Sequence, residues 1–353
     1  MKRKVITALL AATMVASLAV GCGNKGGDSK SDSSKSSSSD EITIGFSQVG
    51  AESDWRTANS ESMKSTFSEK NGYKLIFDDA QQKQENQITA IRNFIQQDVD
   101  YIVLAPVTET GWDTVLKEAK DADIPVIIVD RMIDVSDDSL YTAWVGSNFK
   151  MEGQKACEWL NAYAEAKGMK EVNIAHIQGT IGASAQIGRT EGLEEAAKEY
   201  GWNIVAQQTG EFTQAKGQEV MESILKQSGD DIDVVYCEND NEAFGAIDAI
   251  KAAGYEVGGE EGQILVMSFD TTNAGLTQTL SGEITCDTEC NPLHGPRVEE
   301  IIQKLEAGED VDKQAFVDEV AFASDDTVTK VTIDGTDYDI TPITQEIIDG
   351  RAY

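Results

Sequence analysis

The chain has 353 residues, and its 62 acidic side chains far outnumber its 29 Lys and Arg side chains. The formal net charge of −33 repels phosphate backbones and anionic lipid surfaces, so the composition argues against a nucleic-acid-binding protein. Residues 41–353 are enough for one large domain or two medium ones.

The N-terminus has the pattern of a secretory signal. A positive cluster at residues 2–4 precedes an apolar run at residues 5–20, and Cys22 follows after one glycine. The pattern resembles a bacterial lipoprotein signal, which implies a signal peptide at 1–21 and lipid attachment to Cys22. The alternative is an ordinary secretory signal with an incidental cysteine. Residues 22–40 are rich in Gly and Ser and predict a flexible tether, so we expect an extracytoplasmic protein that is lipid-anchored to the cell membrane.

The first half of the body alternates short apolar runs with helical patterns. We predict strands at 42–46, 73–77, 101–104 and 125–129, with helices at 55–70, 84–97 and 112–121 between them. This order builds right-handed βαβ units, and continuous apolar strands are typical of a parallel sheet covered on both faces.

The same alternation restarts after residues 142–146. We predict helices at 152–166, 192–200, 217–227 and 243–253, and strands at 172–177, 204–207, 234–237 and 265–269. Two successive parallel sheets predict two α/β domains with a cleft between them. Residues 327–340 alternate apolar and polar side chains around Asp334-Gly335, which predicts a β-hairpin or edge strands.

Polar side chains follow the apolar strands, and in open parallel sheets ligands bind beyond these carboxyl ends. The candidates from the first half are Gln48, Glu52, Ser53, Asp54, Trp55, Arg56, Asp130 and Arg131. The second half contributes residues 180–189 and 238–241, together with Asp270. Carboxylates, amides and guanidinium groups can bind sugar hydroxyls, and Trp can cover a sugar's C–H face.

Cysteine and histidine give no metal motif. Four cysteines of the body can stay reduced or pair as disulfides: Cys157, Cys237, Cys286 and Cys290. His294 follows Cys290 by four residues, but Pro292 and the strand-like residues 283–288 remove the helix that would align them. His176 lies in an apolar run and is expected in the core. We predict no metal and no cofactor.

The sequence also lacks the motifs of common enzymes. Neither histidine accompanies a nucleophile motif, and the Gly-rich residues 179–184 lack the Lys-Ser/Thr ending of a phosphate-binding loop. A pair of glycosidase carboxylates stays open on composition, and turnover of furanosides would reveal one. We predict a binding protein rather than an enzyme.

At these same residues the sequence resembles the sugar-binding proteins of ABC importers, and among them the galactofuranose-binding branch. The segments that carry the resemblance include VGAESDWR at 49–56, QQKQENQ at 81–87, DRMID at 130–134 and QGTIGAS at 178–184. Asp130-Arg131 alone would indicate only the wider ribose- and galactose-binding group. The similarity spans nearly all of residues 41–296 and weakens afterwards.

The resemblance implies a type I periplasmic-binding-protein fold, in which three chain crossings form a hinge between two Rossmann-like parallel-sheet domains. The lobes would comprise residues 41–145 plus 292–322 and residues 146–291 plus 323–353, with crossings near Gly146, Asn291 and Phe322. The implied ligand contacts are Glu52, Ser53, Trp55, Arg56, Asp130, Arg131, Arg189, Asn239, Asp270, Glu289 and Asn291.

The function implied is that of a monomeric receptor which delivers a galactofuranose-like sugar, or another pentose or hexose, to an ABC permease. One alternative is a lipoprotein that presents a sugar or an autoinducer to a sensory receptor. Another is the effector domain of a sugar repressor, which shares this fold. The signal pattern and the lack of a helix-turn-helix before Ile42 argue against a repressor.

Overall fold

The computed structural model describes residues 41–353. The predicted signal peptide, the lipid acceptor Cys22 and the tether at 22–40 lie outside this range. Within it the chain folds as an α/β protein with two sheets, which confirms the predicted fold class.

The first sheet has six strands in the order β11-β5-β4-β3-β1-β2, and all neighbouring strands run parallel. Its strands are β1 (Ile42–Gln48), β2 (Tyr73–Asp79), β3 (Tyr101–Leu104), β4 (Val126–Val129), β5 (Ala143–Gly146) and β11 (Gln314–Phe316). Helices α1 (Asp54–Thr66), α2 (Gln84–Gln96) and α3 (Asp113–Asp121) connect its strands, and α9 (Gly295–Ala307) precedes β11. The first sheet and these helices are referred to below as the first lobe.

Apolar side chains cover both faces of the first sheet. On one face Ile91 and Trp112 pack with β3 and β4, and on the other Met63 and Val298 pack with β1. The central strands are buried at every residue, which is why their sequences are continuous apolar runs rather than alternating ones.

The second sheet has eight strands in the order β13-β14-β12-β10-β9-β8-β6-β7. Its strands are β6 (Asn173–Gln178), β7 (Asn203–Thr209), β8 (Val234–Cys237), β9 (Leu265–Asp270), β10 (Cys286–Glu289), β12 (Ala321–Ala323), β13 (Lys330–Ile333) and β14 (Thr336–Pro342). Its helices are α4 (Phe149–Lys167), α5 (Ser184–Tyr200), α6 (Gln214–Ser228), α7 (Asp240–Ala252), α8 (Asn273–Ser281) and α10 (Gln345–Asp349). These elements are referred to as the second lobe.

The edge of the second sheet is not purely parallel. Strand β12 pairs antiparallel with β10, and β13 pairs antiparallel with β14. The β13–β14 pair is the predicted hairpin, and its turn residues Asp334 and Gly335 have φ values of 49° and 79°. Positive φ at both positions is what a tight two-residue turn requires. The hairpin prediction is therefore confirmed.

Helix α1 is shorter than predicted. Its sequence pattern continues to residue 70, but the helix ends at Thr66, and Phe67 leaves helical geometry at φ −92° and ψ 47°. The Phe67 ring then packs edge-on against Tyr73, with ring centroids 5.1 Å apart. Tertiary packing has overridden the helical preference of the last residues.

The chain passes between the two sheets three times, which agrees with the predicted three-stranded hinge. The passages lie between β5 and α4, between β10 and α9, and between β11 and β12. The third one spans residues 317–320, just before Phe322.

Cysteine and histidine side chains in the described part of the chain are buried. Cys157, Cys237, Cys286 and Cys290 carry free thiols. His176 is fully buried beside Glu238, with Nε2 2.9 Å from a carboxylate oxygen, which confirms its core position. Cys286 lies in a strand and His294 precedes a helix that has proline in its first turn, so the two share no helix. Between residues 41 and 353, no helix combines the length and the apolar character needed to cross a bilayer.

Candidate ligand-binding site

A cavity lies where the carboxyl ends of both sheets meet. Both lobes contribute to its wall, as expected for a ligand site in open parallel sheets. Nine of the eleven predicted contacts line it, together with Ala185 of the candidate range 180–189 and three residues that were not predicted as contacts. The lining residues are Glu52, Ser53, Trp55, Arg56, Asp130, Arg131, Phe149, Ala185, Arg189, Phe212, Asn239, Asp270 and Cys290.

Helix α1 begins at the cavity and positions Trp55 and Arg56. The Ser53 hydroxyl accepts a hydrogen bond from the Arg56 backbone N–H at 3.1 Å and caps the helix. Trp55 Nε1 donates to the Cys290 carbonyl oxygen at 2.6 Å, a bond between α1 and the crossing after β10. The indole is thereby fixed against the hinge, with its apolar rings in the wall of the cavity.

The Arg56 side chain is buried between carboxylates. Its Nε donates to Glu52 Oε1 at 3.0 Å, and its Nη1 donates to Asp130 Oδ2 at 2.8 Å and to Gln48 Oε1 at 3.2 Å. Burial alone lowers the pKa of Arg56, but the charges of Asp130 and Glu52 outweigh it and the net shift is upward. Arg56 is therefore a fixed cation whose charge is balanced within the protein.

A strained backbone turns Asp130 into the cavity. Asp130 follows β4 with φ 62°, the left-handed region that Asp tolerates better than most residues. A Cβ at residue 146 would lie 2.2 Å from the Asp130 carbonyl oxygen, so Gly146 is required there. Burial raises the pKa of Asp130, but the guanidinium groups of Arg56 and Arg131 lower it more, and the carboxylate stays ionised.

Arg131 is the least compensated cation of the site. Its Nη1 donates to the Val107 carbonyl oxygen at 2.9 Å, and its Nη2 lies 3.9 Å from Glu52 Oε1. The guanidinium also stacks over the Phe212 ring of the second lobe, 5.0 Å from its centroid. Burial, followed by the charge of Arg56, lowers the pKa of Arg131 to about 10, so it remains protonated at neutral pH.

The second lobe supplies Arg189 on α5. Its Nε donates to Glu152 Oε2 at 2.8 Å, its Nη1 donates to the Glu238 carbonyl oxygen, and its Nη2 lies 3.6 Å from Asp270 Oδ1. Phe149 and Phe269 flank the guanidinium. Burial lowers the pKa of Arg189, but Glu152 and Asp270 raise it more, and the net shift is upward.

Asn239 and Asp270 complete the polar wall on this side. Asn239 caps α7 by accepting the Glu242 backbone N–H at 2.8 Å, and its Nδ2 donates to the Phe212 carbonyl oxygen at 3.2 Å. Asp270 ends β9 with φ 110°. Burial raises the pKa of Asp270 well above its usual value, although Arg189 opposes the shift. Asp270 is thus able to accept or donate a hydrogen bond.

Glu289 and Asn291 do not line the cavity. Glu289 accepts hydrogen bonds from Arg351 and Tyr353 near the C-terminus. The Asn291 side chain bonds to Glu289 and to the Leu293 backbone. Cys290, which lies between them, lines the cavity instead. The predicted segment therefore reaches the site, but through a different residue.

The three lining residues that the sequence did not predict as ligand contacts are Phe149, Phe212 and Cys290. Phe149 and Phe212 each follow a strand, as the polar candidates do, but an apolar residue there has the same pattern as a core residue. Gly179 is the sequence feature that could have indicated Phe212. A Cβ at residue 179 would lie 1.9 Å from the Phe212 ring, so only glycine fits there. Such a close approach marks a side chain held in one place.

Three hydrogen bonds join the lobes outside the cavity. The Asp54 N–H donates to Asn241 Oδ1 at 3.0 Å, and the Met132 N–H donates to the Ser184 hydroxyl at 2.8 Å. The Glu109 N–H donates to the Gly182 carbonyl oxygen at 2.9 Å. The lobes are therefore in a closed arrangement, in which the cavity residues are almost fully buried.

One cluster of potential metal ligands lies behind the cavity. Glu152, Cys290 and Glu319 each offer a ligand atom, and these atoms lie within 4.8 Å of one another. Glu152 is already paired with Arg189, and Glu319 accepts hydrogen bonds from Ser147 and from the Asn291 backbone. Glu152 Oε1 is buried without a hydrogen-bond partner, and the Cys290 thiol lies 3.3 Å from the Ser147 hydroxyl.

The sequence model described as "Periplasmic binding protein domain" matches residues 44–288, which include nearly all of strands β1 to β10. The chain belongs to the periplasmic binding protein family. The predicted fold and the resemblance are both confirmed by this match. The family's extracytoplasmic character agrees with the predicted side of the membrane.

A relative from the predicted galactofuranose-binding branch is similar to most of this chain. The chain is 46% identical over 259 residues to the galactofuranose-binding protein YtfQ of Escherichia coli (strain K12), covering 72% of this chain and 79% of that protein. YtfQ is a binding protein, which agrees with the prediction that the chain is not an enzyme.

Two solved structures resemble this fold closely. A Mycobacterium smegmatis protein in complex with β-D-fucofuranose is 43% identical with a TM-score of 0.76, covering 81% of this chain and 92% of that one. The periplasmic binding component of the arabinose ABC transporter from Shewanella sp. ANA-3, bound to α- and β-L-arabinofuranose, is 44% identical with a TM-score of 0.75. That match covers 81% of this chain and 93% of that one.

Proposed function

We propose that this protein is the solute-binding component of an ABC importer and that it binds one neutral monosaccharide, in its furanose form, in the cavity between its lobes. The observation that carries the proposal is the composition of the wall. Charged side chains that are paired with one another line the cavity together with three aromatic rings. Such a wall offers directed donors and acceptors to hydroxyls and apolar surface to C–H groups.

Charge balance favours a neutral sugar over a sugar acid. Arg56 pairs with Glu52 and Asp130, and Arg189 pairs with Glu152 and lies near Asp270. Arg131, the least compensated of the three guanidinium groups, still lies 3.9 Å from Glu52. A carboxylate on the ligand would add a further negative charge to this buried site, and burying an uncompensated charge is costly. Hydroxyl groups bring no such penalty.

The furanose ring form is supported by the relatives. YtfQ is named for galactofuranose, and the two similar structures hold fucofuranose and arabinofuranose. We assign the contacts to the predicted residues that line the cavity: Glu52, Ser53, Trp55, Arg56, Asp130, Arg131, Arg189, Asn239 and Asp270. Glu289 and Asn291 are left out because their side chains bond elsewhere.

The experiment is titration calorimetry of the protein carrying Cys22→Ser, which removes the predicted lipid acceptor. The panel contains D-galactose, D-fucose, L-arabinose and D-ribose, with methyl β-D-galactopyranoside as a ring-locked control and D-galacturonate as a charged one. We expect one-to-one binding of one or more free sugars, weakened by their low furanose content, since apparent affinity scales with the competent fraction. The two controls should give no heat. Tight binding of the locked pyranoside would exclude the furanose assignment, and silence of the whole panel would exclude the sugar.

We further propose that Cys22 carries a lipid that keeps the receptor at the membrane, where the closed form meets the permease. The support is the signal pattern at residues 1–22 and the ABC-transporter role named for the Shewanella relative. Cells expressing the wild-type chain should hold it in the membrane fraction, and Cys22→Ser should release it to the soluble fraction. Equal fractionation of both would contradict the anchor.

A further inference from the structure

The C-terminal segment, residues 327–353, lies outside the family match, which ends at residue 288. It nevertheless binds Thr271 and Glu289, the neighbours of the cavity residues Asp270 and Cys290. Helix α10 anchors the segment through Ile348, which packs with Leu276 and Phe322. The Asn273 N–H donates to the Tyr353 carbonyl oxygen at 2.8 Å and fixes the end of the chain at the start of α8. This docking brings Arg351 beside the turn that follows β9.

Arg351 binds two separate parts of the second lobe. Its Nε donates to the Thr271 carbonyl oxygen at 2.8 Å, and its Nη2 donates to the Thr271 hydroxyl. The same Nη2 donates to Glu289 Oε1 at 2.8 Å. The Arg351 side chain is only 11% exposed, so these bonds form in a site largely shielded from water and are stronger there than at the surface.

The first of these two parts is a strained turn. Asp270 and Thr271 have φ values of 110° and 55°, and a β-branched residue such as Thr rarely adopts positive φ. Strained residues persist only where their surroundings over-determine them. The Thr271 N–H donates to Asp287 Oδ1 at 3.2 Å, and Arg351 binds the carbonyl oxygen and the hydroxyl of the same residue. Asp270, the other strained residue, lines the cavity.

The second part is the hinge crossing after β10. Glu289 exchanges hydrogen bonds with Val320 of the third crossing: its N–H donates to the Val320 carbonyl oxygen at 2.9 Å, and its Oε2 accepts the Val320 N–H at 3.1 Å. Tyr353 Oη donates to Glu289 Oε1 at 2.7 Å. The next residue, Cys290, lines the cavity and accepts the Trp55 hydrogen bond.

We propose that Arg351 is a positioning residue for sugar binding, which holds the Asp270–Thr271 turn and the Glu289 crossing in the geometry of the closed cavity without touching the sugar. The inference rests on the proposed function. A guanidinium suits the task because its planar fork of donors reaches a backbone carbonyl, a hydroxyl and a carboxylate at once. A lysine ammonium at the same position reaches fewer of them together.

The test compares Arg351→Ala, Arg351→Gln and Arg351→Lys with two controls in the Cys22→Ser background. Tyr353→Phe removes the hydrogen bonds that the Tyr353 hydroxyl makes with Glu289 and with Arg351 Nη2, and it keeps the Arg351 guanidinium. Lys330→Ala removes the exposed pair with Asp337 in the hairpin of the same segment. Calorimetry gives the Kd for the best sugar of the panel, stopped-flow Trp fluorescence gives the dissociation rate, and hydrogen–deuterium exchange follows residues 270–275 in the sugar-free protein.

We expect Arg351→Ala and Arg351→Gln to raise Kd about tenfold or more, mainly through faster dissociation, and to speed exchange at residues 270–275 but not in β1. Arg351→Lys should recover part of the affinity, Tyr353→Phe should lose less than Arg351→Ala, and Lys330→Ala should bind as the parent does. Because three substitutions of Arg351 are compared, the test stays decisive if one of them fails to fold.

An unchanged Kd in folded Arg351 variants would overturn the proposal, even if their melting temperature falls, because a merely structural role predicts that result. An equal loss of affinity in Lys330→Ala would overturn it as well. If the parent protein binds no sugar, the proposed function fails, and with it the role of Arg351 in sugar binding. The exchange at residues 270–275 then separately reports whether Arg351 holds the turn.

Discussion

At the scale of single residues, the site depends on buried guanidinium groups that each have acidic partners. Arg56 has Glu52 and Asp130 at hydrogen-bonding distance, and Arg189 has Glu152. Removing one member of such a pair leaves a buried charge uncompensated, which costs about 3–5 kcal/mol. The same charged groups face the cavity, so these ion pairs contribute both to the stability of the fold and to ligand affinity.

Arg56 and Asp130 allow these two contributions to be separated. Arg56→Met should lower the free energy of unfolding by about 3 kcal/mol, because Asp130 and Glu52 lose their partner, and it should raise Kd for the sugar at least a hundredfold. The double variant Arg56→Met/Asp130→Asn should regain most of the stability but none of the affinity. Urea unfolding and calorimetry measure the two quantities.

A double variant that binds sugar like the wild type would show that neither side chain contacts the ligand. A double variant no more stable than Arg56→Met would show that the 2.8 Å bond to Asp130 is not what the single substitution disrupts. Lys64→Met on the same helix provides the control, because Lys64 is 45% exposed and pairs only weakly with Glu61 at 3.5 Å.

Most polar residues of the cavity could be predicted from the sequence, because each follows an apolar strand and strand ends converge at one edge. Phe149 and Phe212 could not, since an aromatic side chain next to a strand has the same pattern in a core and in a cavity wall. Glu289 and Asn291 do not line the cavity, and the reason is geometric. Successive side chains point in opposite directions along a strand end. Here Cys290 points into the cavity, so its neighbours Glu289 and Asn291 point away from it.

At the scale of elements, the three crossings meet at one half-buried carboxyl group, that of Glu319. Glu319 Oε1 accepts the Ser147 hydroxyl at 2.6 Å and the Asn291 N–H at 2.8 Å, and the Glu319 carbonyl oxygen accepts Lys155 Nζ at 2.7 Å. Ser147 follows the first crossing strand, Asn291 follows the second, and Glu319 belongs to the third. Glu152 of α4 lies against Glu319 and raises its pKa further than burial alone does.

Glu152 and Glu319 predict a pH dependence of stability. Burial raises the pKa of both carboxyl groups above the ordinary value of 4.5. Arg189 and Lys155 oppose the rise at Glu152, and the hydrogen bonds from Ser147 and Asn291 oppose it at Glu319. Between that value and the raised one, the folded state holds more protons than the unfolded state, so the free energy of unfolding falls as pH rises. Glu319→Gln mimics the protonated form and should lose less stability over this range.

Urea unfolding of wild type and Glu319→Gln from pH 4 to pH 8 checks this. The two curves should lie close together at pH 4 and diverge as pH rises, with the variant more stable at pH 8. Asp318→Asn removes the carboxylate of the preceding residue and provides the neighbouring control, which should follow the wild-type curve. Parallel curves for wild type and Glu319→Gln would mean that the pair is not protonated in the folded state.

Strands and turns could be predicted from the sequence where the apolar runs and the turn residues were unambiguous. The central strands and the Asp334-Gly335 hairpin are examples. The predicted end of α1 at residue 70 was wrong, because the helix ends where Phe67 packs on Tyr73, a residue that lies beyond the helix. The antiparallel pairing of β12 with β10 was also missed, because three residues are too few to show a pattern.

At the scale of the whole molecule, the sequence predicted two lobes and a cleft but not how the lobes meet. Closure depends on hydrogen bonds between residues far apart in the chain, such as the Asp54 N–H with Asn241 and the Met132 N–H with Ser184. Neither Asn241 nor Ser184 lines the cavity, so both report on closure rather than on sugar contact. No periodicity in a single sequence identifies such pairs.

These two bonds predict that affinity can be lowered without changing the site. Each contributes about 1 kcal/mol to the closed form, so Asn241→Ala and Ser184→Ala should each raise Kd about fivefold, and the double variant about thirtyfold if they act independently. Calorimetry measures Kd, and small-angle scattering with and without sugar measures closure. Asn71→Ala is the matched control, because Asn71 bonds only within the first lobe, to the Ser65 and Thr66 carbonyl oxygens.

The dissociation rate distinguishes closure from damage to the site. Weakening the closed form speeds opening, so the variants should release sugar faster while their association rates stay close to that of the wild type. The unfolding free energy of the sugar-free protein should change no more than in Asn71→Ala, because an open form does not make these bonds. A loss of affinity that came instead from slower association would place the two residues on the path of sugar entry and contradict their role in holding the lobes together.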